Sequence, residues 1–156
     1  MSVVSGIVIV TASASSPEAR LLQDELSEVL QSLSGDSGRA SFDIEAPDER
    51  AGFYLAKNSA GQLLGCAALR PLGEPDSDTA ELKRMFARPG SVGVGAALLA
   101  HAENQARQLS YRDVVLSTRM INTRAVAFYR KHGYAPVAPY GKYVGAAWSV
   151  CLGKLL

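Results

Sequence analysis

Residues 80–116 constrain the fold more than any other part of the chain. Residues 80–87 (AELKRMFA) alternate like a strand, and residues 90–95 (GSVGVG) form a glycine-rich turn. A helical face and a buried strand follow, marked by Leu98, Ala102, Ala106, Leu109 and residues 114–116. Because two strands joined through a helix normally pair in parallel with a right-handed crossover, this segment predicts a parallel strand pair.

The remaining chain predicts strands around that pair. Residues 7–10 (IVIV) read as a first strand, and Ser16-Pro17-Glu18 starts a helix that runs to about Leu33. Further strands are predicted at residues 52–56, 63–69, 134–140 and 147–152, with another helix from Asn122 to Gly133. The predicted fold is a single α/β domain over residues 1–156. Its mixed, mostly antiparallel sheet has six to seven strands, a central parallel pair and three to four helices.

Composition limits the class of protein. Hydrophobic residues make up 47%, charged residues 20%, and the formal net charge is +1. This near-neutral balance argues against nucleic acid and anionic membranes as partners, and no apolar run reaches the ~18 residues of a membrane span. Cys66 and Cys151 lie in apolar runs away from any ligand-spaced histidine, which predicts reduced core cysteines, no metal site and a cytoplasmic location.

The glycine-rich turn has the chemistry of an anion site. Glycines let the backbone approach a ligand, and the free N–H groups of a first helical turn suit a pyrophosphate. A P-loop is excluded because no Gly-Lys-Ser/Thr follows, and the turn comes too late in the chain for a dinucleotide fingerprint. Taken alone, the turn is also compatible with a plain flexible connection.

Several motifs in order carry a resemblance to a known family. They are residues 81–89 (ELKRMFARP), the glycine turn, residues 97–99, then Asn122, Ala125, Phe128-Tyr129 and Gly133-Tyr134. Together they resemble the GNAT (GCN5-related N-acetyltransferase) superfamily. The resemblance implies an acyltransferase that moves the acetyl group of acetyl-CoA to a primary amine of a small molecule or protein by direct attack.

The resemblance also implies roles for individual residues. Tyr129 matches the general acid, and Glu81 is a candidate general base, the alternative being a solvent-facing acid paired with Lys83. The cofactor-binding positions implied are Met85, Phe86 and Ala87 on the strand, Val92, Gly93, Val94, Gly95 and Ala96 at the turn, and Asn122 and Phe128 on the later helix. Tyr140 and Tyr143 are expected either to line the acceptor pocket or to be exposed loop residues.

The chain departs from the family pattern at the turn. Gly90 replaces the usual Arg or Gln, and the turn is about two residues shorter than in most relatives. Backbone N–H groups, and not a side chain of the turn, would therefore bind the pyrophosphate. Arg88 and Arg124 are candidate replacement cations or solvated arginines. His101 is expected to flank its helix face, and His132 to cap a helix end.

The sequence leaves the acceptor, and the choice between an enzyme and a binding module, to be settled. The acids of residues 35–49 (Asp36, Asp43, Glu45, Asp48 and Glu49) would suit a cationic amine acceptor. A non-catalytic acyl-CoA-binding or regulatory module with the same fold is the alternative to an enzyme. Acetylation of aminoacyl-tRNA is disfavoured by the near-neutral charge. A homodimer is expected of many relatives and stays open here.

Overall fold

The computed structural model describes residues 2–4, 6–42 and 48–156. Within these residues, three α-helices flank one sheet: α1 (Pro17–Ser34), α2 (Val94–Gln108) and α3 (Thr123–Lys131). The strands are β1 (Ser2–Val4), β2 (Ile7–Ala12), β3 (Gly52–Lys57), β4 (Leu63–Pro71), β5 (Thr79–Ala87), β6 (Asp113–Arg119), β7 (Ala135–Pro136) and β8 (Ser149–Leu155). Their order in the sheet is β1-β2-β3-β4-β5-β6-β8-β7.

The topology confirms the predicted fold class. Strands β5 and β6, joined through α2, form the parallel pair, and every other neighbouring pair is antiparallel. The strand predicted at residues 134–140 was too long, because Pro136 and Pro139 cannot donate to a ladder and only Ala135–Pro136 pairs with β8. The short edge strand β1 was not predicted.

Helix α1 forms where its local signals indicate. The Ser16 hydroxyl accepts a hydrogen bond from the N–H of Ala19 at 3.2 Å, and Pro17 occupies the first turn. Gly35 ends the helix at φ 79°, a left-handed conformation that favours glycine. The buried face of α1 includes Leu22 and Leu26, so its amphipathic period places one stripe against the sheet.

The sheet has an apolar cluster on each face. Helix α1 packs with Phe53, Leu55 and Phe86 on one face. Helix α2 and Tyr129 of α3 pack on the other, with alternate strand residues that include Leu82 and Leu116. Both cysteines are buried and unbonded. Among the described residues, no helix is both long and apolar enough to cross a membrane.

Candidate active site

A gap opens between β5 and β6 in the middle of the sheet. Their parallel pairing ends at Glu81 opposite Val115, whereas β5 continues to Ala87 and β6 to Arg119. Beyond Glu81, the edge of β5 that faces β6 therefore has no strand partner in the described chain. Met85, Phe86 and Ala87 lie on this stretch, so their backbone can pair with a ligand in the gap.

A bulge in β5 rearranges the side chains beside the gap. Ala68 pairs with Lys83 and Cys66 with Phe86, so two residues of β5 oppose one of β4. Arg84 sits in the bulge at φ 52°, a left-handed conformation that a non-glycine residue adopts at a cost of order 1 kcal/mol. The bulge places the Lys83 and Arg84 side chains on the same face, towards α1.

Arg84 ties the bulge to α1. Its guanidinium donates hydrogen bonds to the carbonyls of Gln23 (2.9 Å) and Ser37 (3.1 Å) and to the hydroxyl of Ser27 (2.6 Å). The side chain is buried, and this burial lowers the pKa of Arg84. The bulge, α1 and the chain that follows α1 are thus held together by one cation.

The glycine turn leads directly into α2. Gly90 (φ 84°) and Gly93 (φ 76°) have left-handed backbones, and Gly93 caps the helix without a side chain. Val92 is 89% exposed on the turn, and Val94 is buried where the helix begins. The first N–H groups of an α-helix have no partner inside the helix, so those at Val94, Gly95 and Ala96 can face an anion.

Arg88, one of the two candidate replacement cations, is paired with an acid of α1. Its guanidinium makes a two-pronged ion pair with Glu25 of α1, at 2.9 Å from Nε and 2.7 Å from Nη2, and also donates to the carbonyl of Leu63. The pair raises the pKa of Arg88 and lowers that of Glu25. The hydroxyl of Ser91 donates to the carbonyl of Arg88 at 2.6 Å, which closes the turn.

Helix α3 supplies the wall opposite the turn. Asn122 caps it by accepting a hydrogen bond from the N–H of Ala125 at 3.2 Å. The Phe128 ring contacts α2 at Gly95, where an added Cβ would lie 3.3 Å from Cζ of the ring. Arg124 is exposed and lies one helical turn before Phe128 on α3.

Tyr129 lies in the apolar cluster beneath α2 and α3. It is 7% exposed, and its ring stacks edge-on against Phe128 (5.1 Å) and Tyr134 (5.7 Å). Burial raises the pKa of Tyr129, so the phenol keeps its proton at neutral pH. Glu81 lies on the opposite face of the sheet, because its neighbours Ala80 and Leu82 belong to the cluster that contains Tyr129. Between the two faces, β5 and β6 are not paired beyond Glu81 and Val115.

Glu81 lies on the floor of a cleft of about 840 Å³ on the α1 face. Its carboxylate accepts from Nε (3.1 Å) and Nη2 (3.0 Å) of Arg70, and the Lys83 ammonium lies 3.6 Å away. Glu81 is only 4% exposed, so the expected alternative of a solvent-facing acid was wrong, although its pairing with Lys83 is present. Tyr140 and Tyr143 line the same cleft, and Tyr143 accepts from Lys83 at 3.1 Å.

The described acids of residues 35–49 (Asp36, Asp48 and Glu49) do not gather as one patch. Asp36 accepts a hydrogen bond from the N–H of Gly38 at 2.9 Å and pairs with Arg119 at 2.7 Å, and both interactions lower the pKa of Asp36. Asp48 lines the cleft and accepts from the N–H of Arg50, and Glu49 is exposed. Asp43 and Glu45 lie outside the described residues.

The histidines take no part in the cleft. The expectation that His101 flanks its helix face was wrong, since it is 4% exposed and packs edge-on against Tyr54 at 4.9 Å. His132 caps α3, with Nδ1 2.8 Å from the carbonyl oxygen of Phe128. No three His, Cys, Asp or Glu side chains of the described segments are placed to hold a metal ion together.

Sequence reasoning missed Arg70, which lines the cleft, and Arg84, which lies in the bulge of β5. Arg70 lies directly opposite Glu81 in the β4–β5 ladder, and Arg84 depends on the bulge. The first could have been found from an alignment of the hairpin register, since Arg70 and Glu81 flank the turn at residues 72–78. The role of Arg84 has no local sequence signal, because the residues around it predict neither the bulge nor the packing of α1.

Comparisons with known proteins agree on one family. Residues 19–134 match the sequence profile of the acetyltransferase (GNAT) family. An IAA acetyltransferase of Azospirillum brasilense is 30% identical over 127 residues, which cover 78% of this chain and 80% of that protein.

Solved structures show the same fold. A Klebsiella pneumoniae protein assigned to the acyl-CoA N-acyltransferases superimposes with a TM-score of 0.82 at 23% identity, covering 96% of this chain and 97% of that one. A GNAT family acetyltransferase of Elizabethkingia anophelis, solved with acetyl-CoA bound, superimposes with a TM-score of 0.68 at 19% identity. The match covers 97% of this chain and 99% of that one.

Proposed function

Because the chain belongs to the acetyltransferase (GNAT) family, and is therefore an acyltransferase, we propose that it transfers acetyl from acetyl-CoA to a primary amine. The observation that carries the proposal is the gap between β5 and β6. It lies between the face that carries α2 and Tyr129 and the face that carries the Glu81 cleft. A donor and an acceptor entering from opposite faces can meet in such a gap.

The donor would bind along the α2 side. The N–H groups of Val94, Gly95 and Ala96 would hold the pyrophosphate at the positive end of the helix. The pantetheine arm would run beside Met85–Ala87, whose unpaired backbone can bond its amides. A related structure of the family holds acetyl-CoA, which supports this ligand for the present chain.

Arg124 would supply the cation that the turn lacks. Arg88 is held by Glu25, and Gly90 has no side chain. Arg124 is exposed near the start of α2, because it precedes Phe128 by one helical turn and Phe128 contacts Gly95. An arginine at this position can form charge-assisted hydrogen bonds with a phosphate of the cofactor.

The proposed reaction uses one group from each face of the sheet, Glu81 as the base and Tyr129 as the acid. The amine nitrogen attacks the thioester carbonyl carbon, and the C–S bond breaks as the C–N bond forms. Glu81 accepts a proton from the amine and passes it to solvent, and Tyr129 protonates the departing thiolate. Burial makes Tyr129 a weaker acid than free tyrosine, but the same apolar surroundings also disfavour the thiolate and so favour the transfer. Backbone N–H groups of β5 would stabilise the carbonyl oxygen.

A second candidate function is non-catalytic acyl-CoA binding. The specific observation in its favour is the turn, which offers backbone donors and no arginine because Arg88 is paired with Glu25. The buried Tyr129 and Glu81 favour the enzyme, since binding alone needs neither group.

Titration and turnover together test the proposal. Isothermal titration gives the Kd for acetyl-CoA, and thiol release with a panel of amines gives the rate. We expect turnover, and we expect Arg124→Met to raise the Kd about tenfold, a loss of about 1.4 kcal/mol, with weaker salt dependence. Arg130→Met, an exposed position in the last turn of the same helix, is the matched control. Binding without thiol release on the whole panel would favour the non-catalytic module.

A further inference from the structure

Beyond the end of their pairing, β5 and β6 belong to two different parts of the sheet. Strand β5 stays paired with β4 as far as Ala87, and β6 stays paired with β8 as far as Arg119. From Glu81 to these ends, no ladder hydrogen bond joins β5 to β6 in the described chain. Since ladder hydrogen bonds are what fix the spacing of neighbouring strands, the width of the gap depends on other contacts.

Residues 36–38, which follow α1 and are called the brace below, are bonded to both strands. On the β5 side, the Arg84 guanidinium donates a hydrogen bond to the carbonyl of Ser37 at 3.1 Å. On the β6 side, the Arg119 guanidinium donates to the carboxylate of Asp36 at 2.7 Å. Two neighbouring residues of one segment therefore bind the two strands at the place where these no longer pair.

Both arginines reach the brace from the face of the sheet that carries α1. Leu116 belongs to the apolar cluster on the other face, so Arg119, three residues further along β6, lies on the α1 face. Arg84 reaches the same face from the bulge of β5. The Glu81 cleft is also on this face, so the brace spans the gap on the side from which the proposed acceptor enters.

The position of the brace is fixed by α1 and by its own hydrogen bonds. The N–H of Gly38 donates to the Asp36 carboxylate at 2.9 Å, and the side chain of Gln31 donates to the carbonyl of Gly35 at 3.0 Å where α1 ends. Gly38 has φ 75°, and a Cβ at this residue would lie 3.1 Å from Nη1 of Arg84. The brace therefore packs closely against Arg84 and starts from the end of a helix.

We propose that the brace sets the width of the gap for acetyl transfer, with Asp36 and Arg119 as positioning residues. The inference rests on the proposed function and concerns the same site. A reacting nitrogen must lie about 3–3.5 Å from the thioester carbon, and a misplacement of about 1 Å can lower the rate about 10²-fold. Asp36 and Arg119 act by holding β6 relative to β5, along which the pantetheine arm would lie, and not on the reacting atoms.

Removal of the Arg119 guanidinium tests the brace. The assay is thiol release at saturating acetyl-CoA and amine, with the Kd for acetyl-CoA and thermal unfolding measured on the same samples. We expect Arg119→Met to lower kcat about tenfold and to change the Kd less than about threefold. The Tm should change little, because an ion pair whose side chains are 27% and 47% exposed contributes little to stability.

Arg112→Met is the matched control. Arg112 precedes β6 and pairs with Asp78, which precedes β5, at 3.8 Å. This ion pair joins the same two strands at their paired end, away from the gap. Arg112→Met makes the same change of charge as Arg119→Met, and we expect it to leave kcat unchanged.

Two further variants separate positioning from packing. Arg119→Lys keeps the charge and should recover part of the lost kcat. Asp36→Asn keeps an oxygen that can accept from Gly38 and weakens the bond to Arg119, so it should also lower kcat. The double variant Asp36→Asn with Arg119→Met should be no slower than Arg119→Met alone, because both changes remove the same bridge.

The outcomes distinguish the brace from the proposed function. A folded Arg119→Met protein with the original kcat, or losses that add in the double variant, would overturn the brace and leave acetyl transfer standing. Should Arg119→Met not fold, Asp36→Asn decides: a lower kcat at an unaltered Kd supports the brace, and an unchanged kcat overturns it. Binding of acetyl-CoA by the unaltered protein without turnover of any amine would instead overturn the proposed function.

Discussion

Removing the hydroxyl of Tyr129 tests the assignment of the general acid. The substitution Tyr129→Phe deletes one atom and keeps the ring, which contacts Phe128 at 5.1 Å and Tyr134 at 5.7 Å. No hydrogen bond joins the hydroxyl to a described residue, so its loss breaks none within the described part of the chain. We therefore expect the free energy of unfolding to change by no more than about 1 kcal/mol.

The effect on turnover should be much larger. A positioned general acid contributes about 10²- to 10⁴-fold. Since burial raises the pKa of Tyr129 and weakens it as an acid, we expect the lower end, a fall in kcat of about 10²-fold, or about 2.7 kcal/mol in the barrier. The KM for acetyl-CoA should change little, because the hydroxyl acts on the leaving sulfur and not on the bound donor.

The assay is thiol release at saturating amine and acetyl-CoA, with thermal unfolding measured on the same samples. The pH profile adds a second readout. Because the raised pKa keeps Tyr129 protonated, activity of the unaltered protein should not decline through its ionisation below about pH 10. A Tyr129→Phe protein that folds normally and turns over at the original rate would refute the assignment.

Three further predictions concern stability. Gly65→Ala should lower the free energy of unfolding by about 1–3 kcal/mol and raise the KM for acetyl-CoA, because the added Cβ would overlap the backbone carbonyl of Phe86 near the end of β5. Urea unfolding measures the first effect and steady-state kinetics the second. A variant with unchanged stability and KM would contradict the prediction. Glu25→Gln should cost about 1 kcal/mol at pH 7 by breaking the pair with Arg88, whose side chains are both 32% exposed. Because that pair lowers the pKa of Glu25, its contribution to stability is present above the unfolded pKa of about 4.3 and is lost as the pH falls through the folded pKa. The difference in unfolding free energy between the unaltered protein and Glu25→Gln should therefore be smaller at pH 3 than at pH 7. An equal difference at both pH values would contradict this prediction. Burial raises the pKa of Tyr54 and Tyr111 to about 12, so the free energy of unfolding should keep their full contribution below pH 10 and fall progressively between about pH 10 and 12. An unfolding free energy that stays constant over that pH range would contradict this prediction.

Local signals predicted the elements that depend on neighbouring residues. Ser16 and Pro17 gave the start of α1, Asn122 gave that of α3, and the strand–turn–helix–strand order gave the parallel pair. These features succeed because capping, proline and crossover rules act over a few residues or follow from chain order. The strand at residues 134–140 failed where two prolines outweighed its apolar pattern.

The candidate site depended on contacts between distant parts of the chain. The pairing of Arg88 with Glu25 joins residues 63 positions apart, and Arg84 reaches Gln23 across 61. Neither contact could be read from periodicity, because each needs the packing of α1 on β5. The cluster of Arg70, Glu81 and Lys83 likewise depends on the register of β4 against β5.

The central claim is acetyl transfer through the gap between β5 and β6, with Glu81 and Tyr129 on opposite faces of the sheet. Its most direct test is the mass balance of a turnover reaction, in which released CoA thiol and acetylated amine are quantified together, by thiol titration and mass spectrometry. The account predicts one acetylated amine for every CoA released, at a rate well above hydrolysis without amine. Tight binding of acetyl-CoA with no acetylated product from any amine would contradict it.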